Sequence, residues 1–109
     1  MLDEKKVCMD GKKLSNQLRN IGPRLAQKLI QAGINSPEKL RKLGSLEAFH
    51  RIDAVGGFCG KYNALYLYAL EGAILDCDWL DIPSKKKRFF KKYTEIRRRE
   101  YETQRSERN

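Results

Sequence analysis

The sequence predicts an all-α fold, a compact domain of five to six helices, and three observations support this prediction. Glycine and proline residues divide the chain into segments of helical length. Within those segments apolar residues recur at spacings of three and four. The alternation of apolar and polar residues that is typical of a half-buried strand is absent from the sequence. With 109 residues, we expect one domain built around a single core.

The first half of the chain contains three predicted helices. Residues 14–19 form a short first helix, and a turn at residues 20–22 follows. Pro23 suits the first position of a second helix, which runs to residue 32 and ends before Gly33. Ser36 is expected to cap a third helix, which begins with Pro37 and ends at Gly44.

The second half contains three more helices. Ser45 is expected to cap the fourth, whose apolar stripe is Leu46, Phe49, Ile52 and Val55. Residues 60–75 are apolar almost all round, which predicts a central fifth helix with Leu67, Leu70 and Ile74 on one buried face. An acid-rich connection, residues 76–83, follows, and Trp79 is expected to anchor it to the core. Ser84 is expected to cap a last helix with the apolar stripe Phe89, Phe90, Tyr93 and Ile96. This helix is expected to fray beyond Tyr101.

Positive charge is concentrated at the C-terminal end. The net charge is +9, and residues 84–109 hold eleven basic and four acidic side chains, which leaves +7 in this segment. We therefore divide the chain into an N-terminal extension (1–13), a helical domain (14–83) and a basic C-terminal helix and tail (84–109). Polyanions, above all nucleic acid, are natural partners for such a tail, although solubility alone would also explain it.

Several function classes are disfavoured. The sequence has no apolar run of the roughly 18 residues that a membrane span needs, and residues 1–13 do not resemble a signal peptide, so we expect a cytoplasmic protein that does not bind membranes. Cys8, Cys59 and Cys77 form no C-x-x-C pair, and His50 is the only histidine. We predict no catalytic residue, no metal site and no cofactor.

A tight turn in the first half carries the most specific signal. Asn20, Ile21 and Gly22, followed by Ala26 four residues later, resemble the hairpin of a helix-hairpin-helix motif. Gly22 is expected at positive φ or in close backbone contact. Backbone N–H groups at the start of the Pro23 helix can point at a phosphate, and Arg24 and Lys28 lie one turn apart beside them. Such hairpins also serve as packing or protein-docking units.

A longer resemblance covers about residues 14–83. The matching features are an I-G-P turn, A-G-I before a Ser-Pro helix start, L-G before E-A-F, and L-E-G-A-I followed by W-x-D-I-P. In these features the chain is similar to the C-terminal domain of the TfoX/Sxy family. That resemblance implies a non-enzymatic bacterial regulator linked to competence and DNA uptake, with a helix-hairpin-helix-like fold. The separate N-terminal domain that family members often carry is not found in this sequence.

Three other features have ordinary structural interpretations. The stretch from Gly56 to Lys61 has the wrong spacing for a phosphate-binding loop and no preceding strand, which favours a corner between helices. Three tyrosines on the fifth helix are expected in the core rather than as base-stacking rings, namely Tyr62, Tyr66 and Tyr68. The aspartates of the connection lack the pattern of a calcium loop, which favours capping and ion pairing.

The sequence therefore predicts an interface with the DNA backbone of low sequence specificity. Its candidate residues are Asn20, Ile21, Gly22, Arg24, Lys28, Lys85, Lys86, Lys87, Arg88, Lys91 and Lys92. The alternative is a helical module that docks on a regulatory protein and does not bind DNA. The sequence does not fix the oligomeric state.

Overall fold

The computed structural model describes the backbone of residues 4–108 and the side chains of residues 4–106. The described part of the chain contains six α-helices, one short 3-10 helix and no strand, which confirms the all-α prediction. The helices are α1 (Glu4–Gln17), α2 (Pro23–Gln31), α3 (Pro37–Leu43), α4 (Ser45–Ala54), α5 (Ala64–Leu75) and α6 (Ser84–Arg108), and the 3-10 helix is Trp79–Asp81.

Helices α1 and α2 form an antiparallel pair at the start of the fold. Helix α1 begins ten residues earlier than expected and runs through the boundary at residue 13, because Val7, Gly11 and Leu14 place small and apolar surface against the rest of the fold. Gly11 lies so close to Gln27 that an added Cβ would stand 2.8 Å from the Gln27 Cγ. The absence of a side chain at residue 11 therefore lets the two helices approach closely.

The turn between α1 and α2 differs from its prediction. Gly22 has φ −79° and ψ 173°, an extended conformation open to any residue, and an added Cβ would meet no atom within 4 Å. The expectation of positive φ or close backbone contact at Gly22 is therefore wrong. Asn20 instead takes the left-handed conformation, with φ 68°, and makes the reversal of the chain.

A single glycine joins α3 and α4. Ser36 accepts a hydrogen bond from the Lys39 N–H, as expected of a capping serine. Gly44, at φ 85°, donates to the Leu40 carbonyl at the end of α3, and its own carbonyl accepts from Ala48 in α4. Because Gly44 occupies the capping position, Ser45 is the first residue of α4, and the prediction that Ser45 caps α4 is wrong.

A packed corner, residues 55–63, leads from α4 into α5. Helix α5 begins at Ala64, four residues later than expected, because Cys59 and Gly60 both have positive φ and the Asn63 side chain accepts from the Leu65 N–H. Phe58 lies buried in the corner and stacks on Phe49 with 4.4 Å between ring centroids. Val55, expected on the apolar stripe of α4, is 56% exposed at the start of this corner.

Helix α6 folds back along α5 in the opposite direction. Near its start the Lys87 carbonyl accepts a hydrogen bond from the Tyr68 hydroxyl, and farther along Arg98 donates to the Tyr62 carbonyl. An added Cβ at Gly60 would stand 2.3 Å from the Tyr101 ring. The expected fraying after Tyr101 is wrong for the described backbone, which stays helical through Arg108. The Tyr101 ring packs on the corner, so contacts with the rest of the fold stabilise α6 as far as this residue.

The core lies between these helices, and α5 contributes to it as expected. Leu67 and Leu70 are completely buried, Ile74 is partly buried, and the molecule measures 39 × 37 × 20 Å. A thickness of 20 Å fits two layers of helices, since packed helix axes lie about 8–10 Å apart. Trp79 anchors the connection only partly, because the residue is 37% exposed and its ring stacks on Tyr68 at the edge of the core.

Candidate nucleic-acid interface

The basic residues at the start of α6 divide into anchored and free side chains. Lys86 forms an ion pair with Glu71, with 2.8 Å between Nζ and Oε2. Lys87 donates to the Leu80 carbonyl at 3.0 Å and lies over the rings of Tyr68 and Trp79. Both lysines therefore hold α6 and the connection onto α5, and Glu71 compensates the charge of Lys86.

A second anchor holds the middle of α6 to α4. Arg97 Nε donates to Asp53 Oδ2 at 2.8 Å, and the Tyr62 hydroxyl donates to Asp53 Oδ1 at 2.6 Å. The Arg97 guanidinium carbon also lies 5.0 Å from the centre of the Tyr62 ring. Burial lowers the pKa of Arg97, but the hydrogen bond and charge of Asp53 outweigh it and raise that pKa above its ordinary value. Arg97 thus remains charged, and Asp53 compensates its charge.

Five other cations of α6 point away from the fold. They are exposed and have no partner among the described residues: Lys85, Arg88, Lys91, Lys92 and Arg99. Their spacing along one helix places them on a common outer surface of α6, which we call the outer face. Glu95 lies half-buried between them and offsets part of this charge. A chain of fixed cations on a straight helix is an arrangement that attracts a phosphate backbone.

Asn20, predicted to contact DNA, points its side chain into the fold. Its Nδ2 donates to the Cys77 carbonyl at 2.7 Å, and its Oδ1 accepts from the Trp79 N–H at 3.4 Å. The side chain therefore fastens the connection between α5 and α6 to the turn.

The other predicted residues in and after the turn differ in burial and in whether they have partners within the fold. Ile21 is buried, and its carbonyl accepts from the Ser15 hydroxyl at 2.7 Å. Lys28 donates to the Gly57 carbonyl, which ties α2 to the corner. Gly22 and Arg24 are exposed, and Arg24 has no partner among the described residues. The turn thus offers one free cation, and its likeness to a helix-hairpin-helix motif stays a prediction.

The connection 76–83 brings the two predicted regions together. Asn20 contacts it from the turn, and Lys87 contacts it from α6 through Leu80 and Trp79. Three aspartates lie on it, and Asp78 accepts from the Leu80 N–H as the cap of the 3-10 helix. Because carboxylates separate the two positive regions, they do not merge into one uniform basic surface.

Two apolar side chains that the sequence predicts on the buried stripe of α6 lie on its outer face instead. Phe89 is 55% exposed and Ile96 is 45% exposed, whereas Phe90 and Thr94 are buried. The buried side of α6 also includes Tyr93, Arg97 and Tyr101. A threonine and an arginine on that side break the apolar pattern, so the stripe read from sequence is rotated relative to the true one. Arg99, which sequence reasoning left out of the site, lies with the free cations.

The three tyrosines expected in the core lie in it or pack against it. Tyr62 is buried, Tyr66 and Tyr68 pack partly buried against the core, and His50 is exposed on α4. Among the described residues no three His, Cys, Asp or Glu side chains are grouped to hold a metal. No described helix combines the length and the hydropathy that crossing a membrane requires.

Comparison with known proteins identifies similar chains. The family model of the TfoX C-terminal domain matches residues 11–94. The structure is similar to the crystal structure of an uncharacterised protein from Listeria monocytogenes, with 39% sequence identity and a TM-score of 0.66. That similarity covers 75% of this chain and 90% of the Listeria chain. No protein with a curated description matches the chain.

Proposed function

The chain belongs to the TfoX C-terminal domain family, and from that premise we propose that it is a non-enzymatic regulatory module that binds the DNA backbone. The biological role that we propose for it is the control of competence or of transcription, as its resemblance to TfoX/Sxy proteins implies. The proposal concerns binding without chemistry, and its partner is a polyanion recognised by charge.

The observation that carries the proposal is the outer face of α6. Five cations lie there without carboxylate partners of their own, while the other four basic residues between 85 and 98 make hydrogen bonds or ion pairs with the rest of the fold. Each unpaired cation that meets a phosphate releases a condensed counterion, which drives association with nucleic acid. Contacts of this kind carry no sequence information, so the expected specificity is low.

The turn before α2 supplies a smaller share of the binding. Arg24 lies exposed in the first turn of α2, where the backbone N–H groups also favour an anion. Asn20 and Lys28 are committed to internal hydrogen bonds. We therefore assign the main contact to α6 and about one phosphate contact to Arg24.

The rival function is docking on a regulatory protein. The observation that favours it is an exposed apolar group around the connection, formed by Leu75, Trp79 and Leu80. Exposed apolar patches of this kind mark protein interfaces when they are large and contiguous. This group is small and is interrupted by aspartates, so we rank it second.

A titration of fluorescent duplex DNA at low salt tests the proposal. The variant replaces the five outer-face cations by glutamine, which leaves the anchors Lys86, Lys87 and Arg97 in place. The matched control neutralises three exposed cations on another helix, namely Lys39, Arg41 and Lys42 of α3. We expect binding by the wild type and the control and a loss of at least tenfold in the outer-face variant. Equal binding by all three proteins, or no binding by the wild type to either duplex or single-stranded DNA, would contradict the proposal.

A further inference from the structure

We propose that the outer face of α6 selects single-stranded over duplex nucleic acid, with the Phe89 ring as a platform on which one base stacks. This inference rests on the proposed function, because it concerns which form of nucleic acid the same cations hold. The observations behind it are the exposure of Phe89, the support beneath its ring and the cations around it.

The Phe89 ring is exposed but has a defined neighbour. Phe89 as a whole residue is 55% exposed, and its ring meets the Phe90 ring edge-on, with 6.1 Å between centroids and 64° between planes. Phe90 in turn is 3% exposed and packs against Tyr68 in the core. A ring that leans on a fixed aromatic neighbour loses little additional freedom when a base stacks on its open side, so part of the ordering cost is already met.

Cations surround this ring on the helix surface. Lys85 lies one turn before Phe89, Lys92 lies nearly one turn after it, and Arg88 is its neighbour in the chain. All three are exposed without partners among the described residues. An aromatic face inside a frame of positive charge is the combination by which proteins hold single strands, since bases stack on the ring while phosphates meet the cations.

The exposed ring distinguishes between the two forms of nucleic acid. In a duplex the base faces are stacked on each other and are closed to a side chain on the backbone side, so Phe89 adds nothing to a contact with phosphates. In a single strand the base faces are open. From Lys85 to Arg99 the helix rises roughly 21 Å, which is enough for a single-stranded segment of several nucleotides.

Two other occupants of the outer face fit less well. In a symmetric dimer through this face, the cations of one copy would oppose those of the other, and like charges at close range repel. An amphipathic helix of a partner protein needs a continuous apolar seam, usually at spacings of three and four residues. Here Phe89 and Ile96 stand alone, about 10 Å apart along the axis by helix rise, with Lys92 between them.

The first test compares a single-stranded oligonucleotide with its duplex at the same low salt. Phe89→Leu keeps an apolar side chain and all cations but removes the ring. We expect it to weaken single-strand binding by about fivefold to a hundredfold, the range for loss of one stacked base, and to change duplex binding by less than about twofold. Leu65→Ala, which alters a side chain of similar exposure on α5, is the matched control and should change neither.

A second readout reports the contact directly. Phe89→Trp in a Trp79→Phe background places the only tryptophan of the chain on the outer face. Stacking of a base on this indole should quench its fluorescence when single strand is added, and duplex should leave most of the fluorescence. The unsubstituted oligonucleotide is the probe, so the signal comes from the protein alone.

The possible results separate this inference from the proposed function. Binding of both forms with equal strength, unchanged by Phe89→Leu and without quenching, would overturn the inference and leave the proposed function standing. Absence of binding to either form at low salt would overturn both. A concentration-dependent dimer that Phe89→Leu dissociates would assign the face to a second copy, and specific binding of an acidic peptide in place of nucleic acid would assign it to a protein.

Discussion

Asn20 was predicted to contact DNA, but its side chain makes hydrogen bonds within the fold. The sequence placed this position in a turn but expected the positive φ at Gly22, whereas Asn20 has it, with φ 68°. The sequence also suggested an outward role, but the side chain bonds to Cys77 and Trp79, almost 60 residues farther along. A partner so distant in sequence leaves no local pattern, so the direction of the side chain could not be predicted.

Substitutions at Asn20 should separate its two contributions to stability. Asn20→Gly keeps the left-handed backbone and removes both hydrogen bonds, which should cost about 1–3 kcal/mol of unfolding free energy. Asn20→Ala loses the same bonds and adds left-handed strain of about 1 kcal/mol or more, so it should be the less stable of the two. Gly22→Ser is the control, because its extended backbone and capping position accept serine. Urea denaturation measures all three, and an alanine variant as stable as the glycine variant would contradict the strain.

Tyr62 gives the fold a dependence on alkaline pH. Burial raises the pKa of its hydroxyl well above the ordinary value of 10.0, and the hydrogen bond to Asp53 raises it further. A folded-state pKa above the unfolded value means that the folded protein binds more protons at high pH. The associated stability is therefore complete below about pH 10 and is lost as pH rises above it.

The measurement is the unfolding free energy of wild type and Tyr62→Phe between pH 8 and pH 11. We expect the variant to be less stable at pH 8, because Asp53 loses a hydrogen-bond donor, by about 1–3 kcal/mol. Above pH 10 the wild type should lose stability faster, so that the two curves converge. Parallel curves across this range would show that Tyr62 does not titrate in the way its burial requires.

At the scale of the elements, three helix ends followed local signals in the sequence. Ser36, Gly33 and Gly44 act within one turn of their helices, and each ends or begins a helix where expected. The starts of α1 and α5 were misplaced because packing of Gly11 on Gln27 and two residues of positive φ decide them. The rotation of α6 was misjudged for a related reason, since its inward side is set by Asp53 on another helix.

Helix α5 should be the element whose core is least tolerant of truncation. Leu70 is completely buried at its centre, and Leu70→Ala should cost about 2–5 kcal/mol of unfolding free energy. Leu65→Ala on the exposed side of the same helix should cost less than about 0.5 kcal/mol, as surface substitutions do. Thermal or urea denaturation of both variants checks the difference, and a loss at Leu70 as small as that at Leu65 would mean that this face of α5 is not packed.

At the scale of the whole molecule, the net charge located the basic surface but not the residues that remain available. All six candidate residues between 85 and 92 lie on α6, yet Lys86 and Lys87 are held by α5 and the connection. Which cation is anchored depends on the acids and carbonyls that other helices present, and no spacing within α6 contains that information. Removal of α6 after Pro83 would also remove buried Phe90 and Thr94, so point substitutions test its charge better than truncation does.

The slope of the salt dependence of duplex binding should reflect the number of these available cations. Log K should fall linearly with log salt, with a slope of about 0.9 for each phosphate neutralised, so five outer-face cations account for at most a slope of about 4–5. Replacing all five by glutamine should remove most of the slope, and Arg24→Gln should remove about one phosphate or less. Lys86→Gln should leave the slope nearly unchanged and lower stability instead, because this lysine neutralises Glu71 inside the fold. Fluorescence titrations at several salt concentrations measure the slopes. If Lys86→Gln lost as much slope as Lys92→Gln, binding would depend on the total charge of the helix and not on which side chains are paired within the fold.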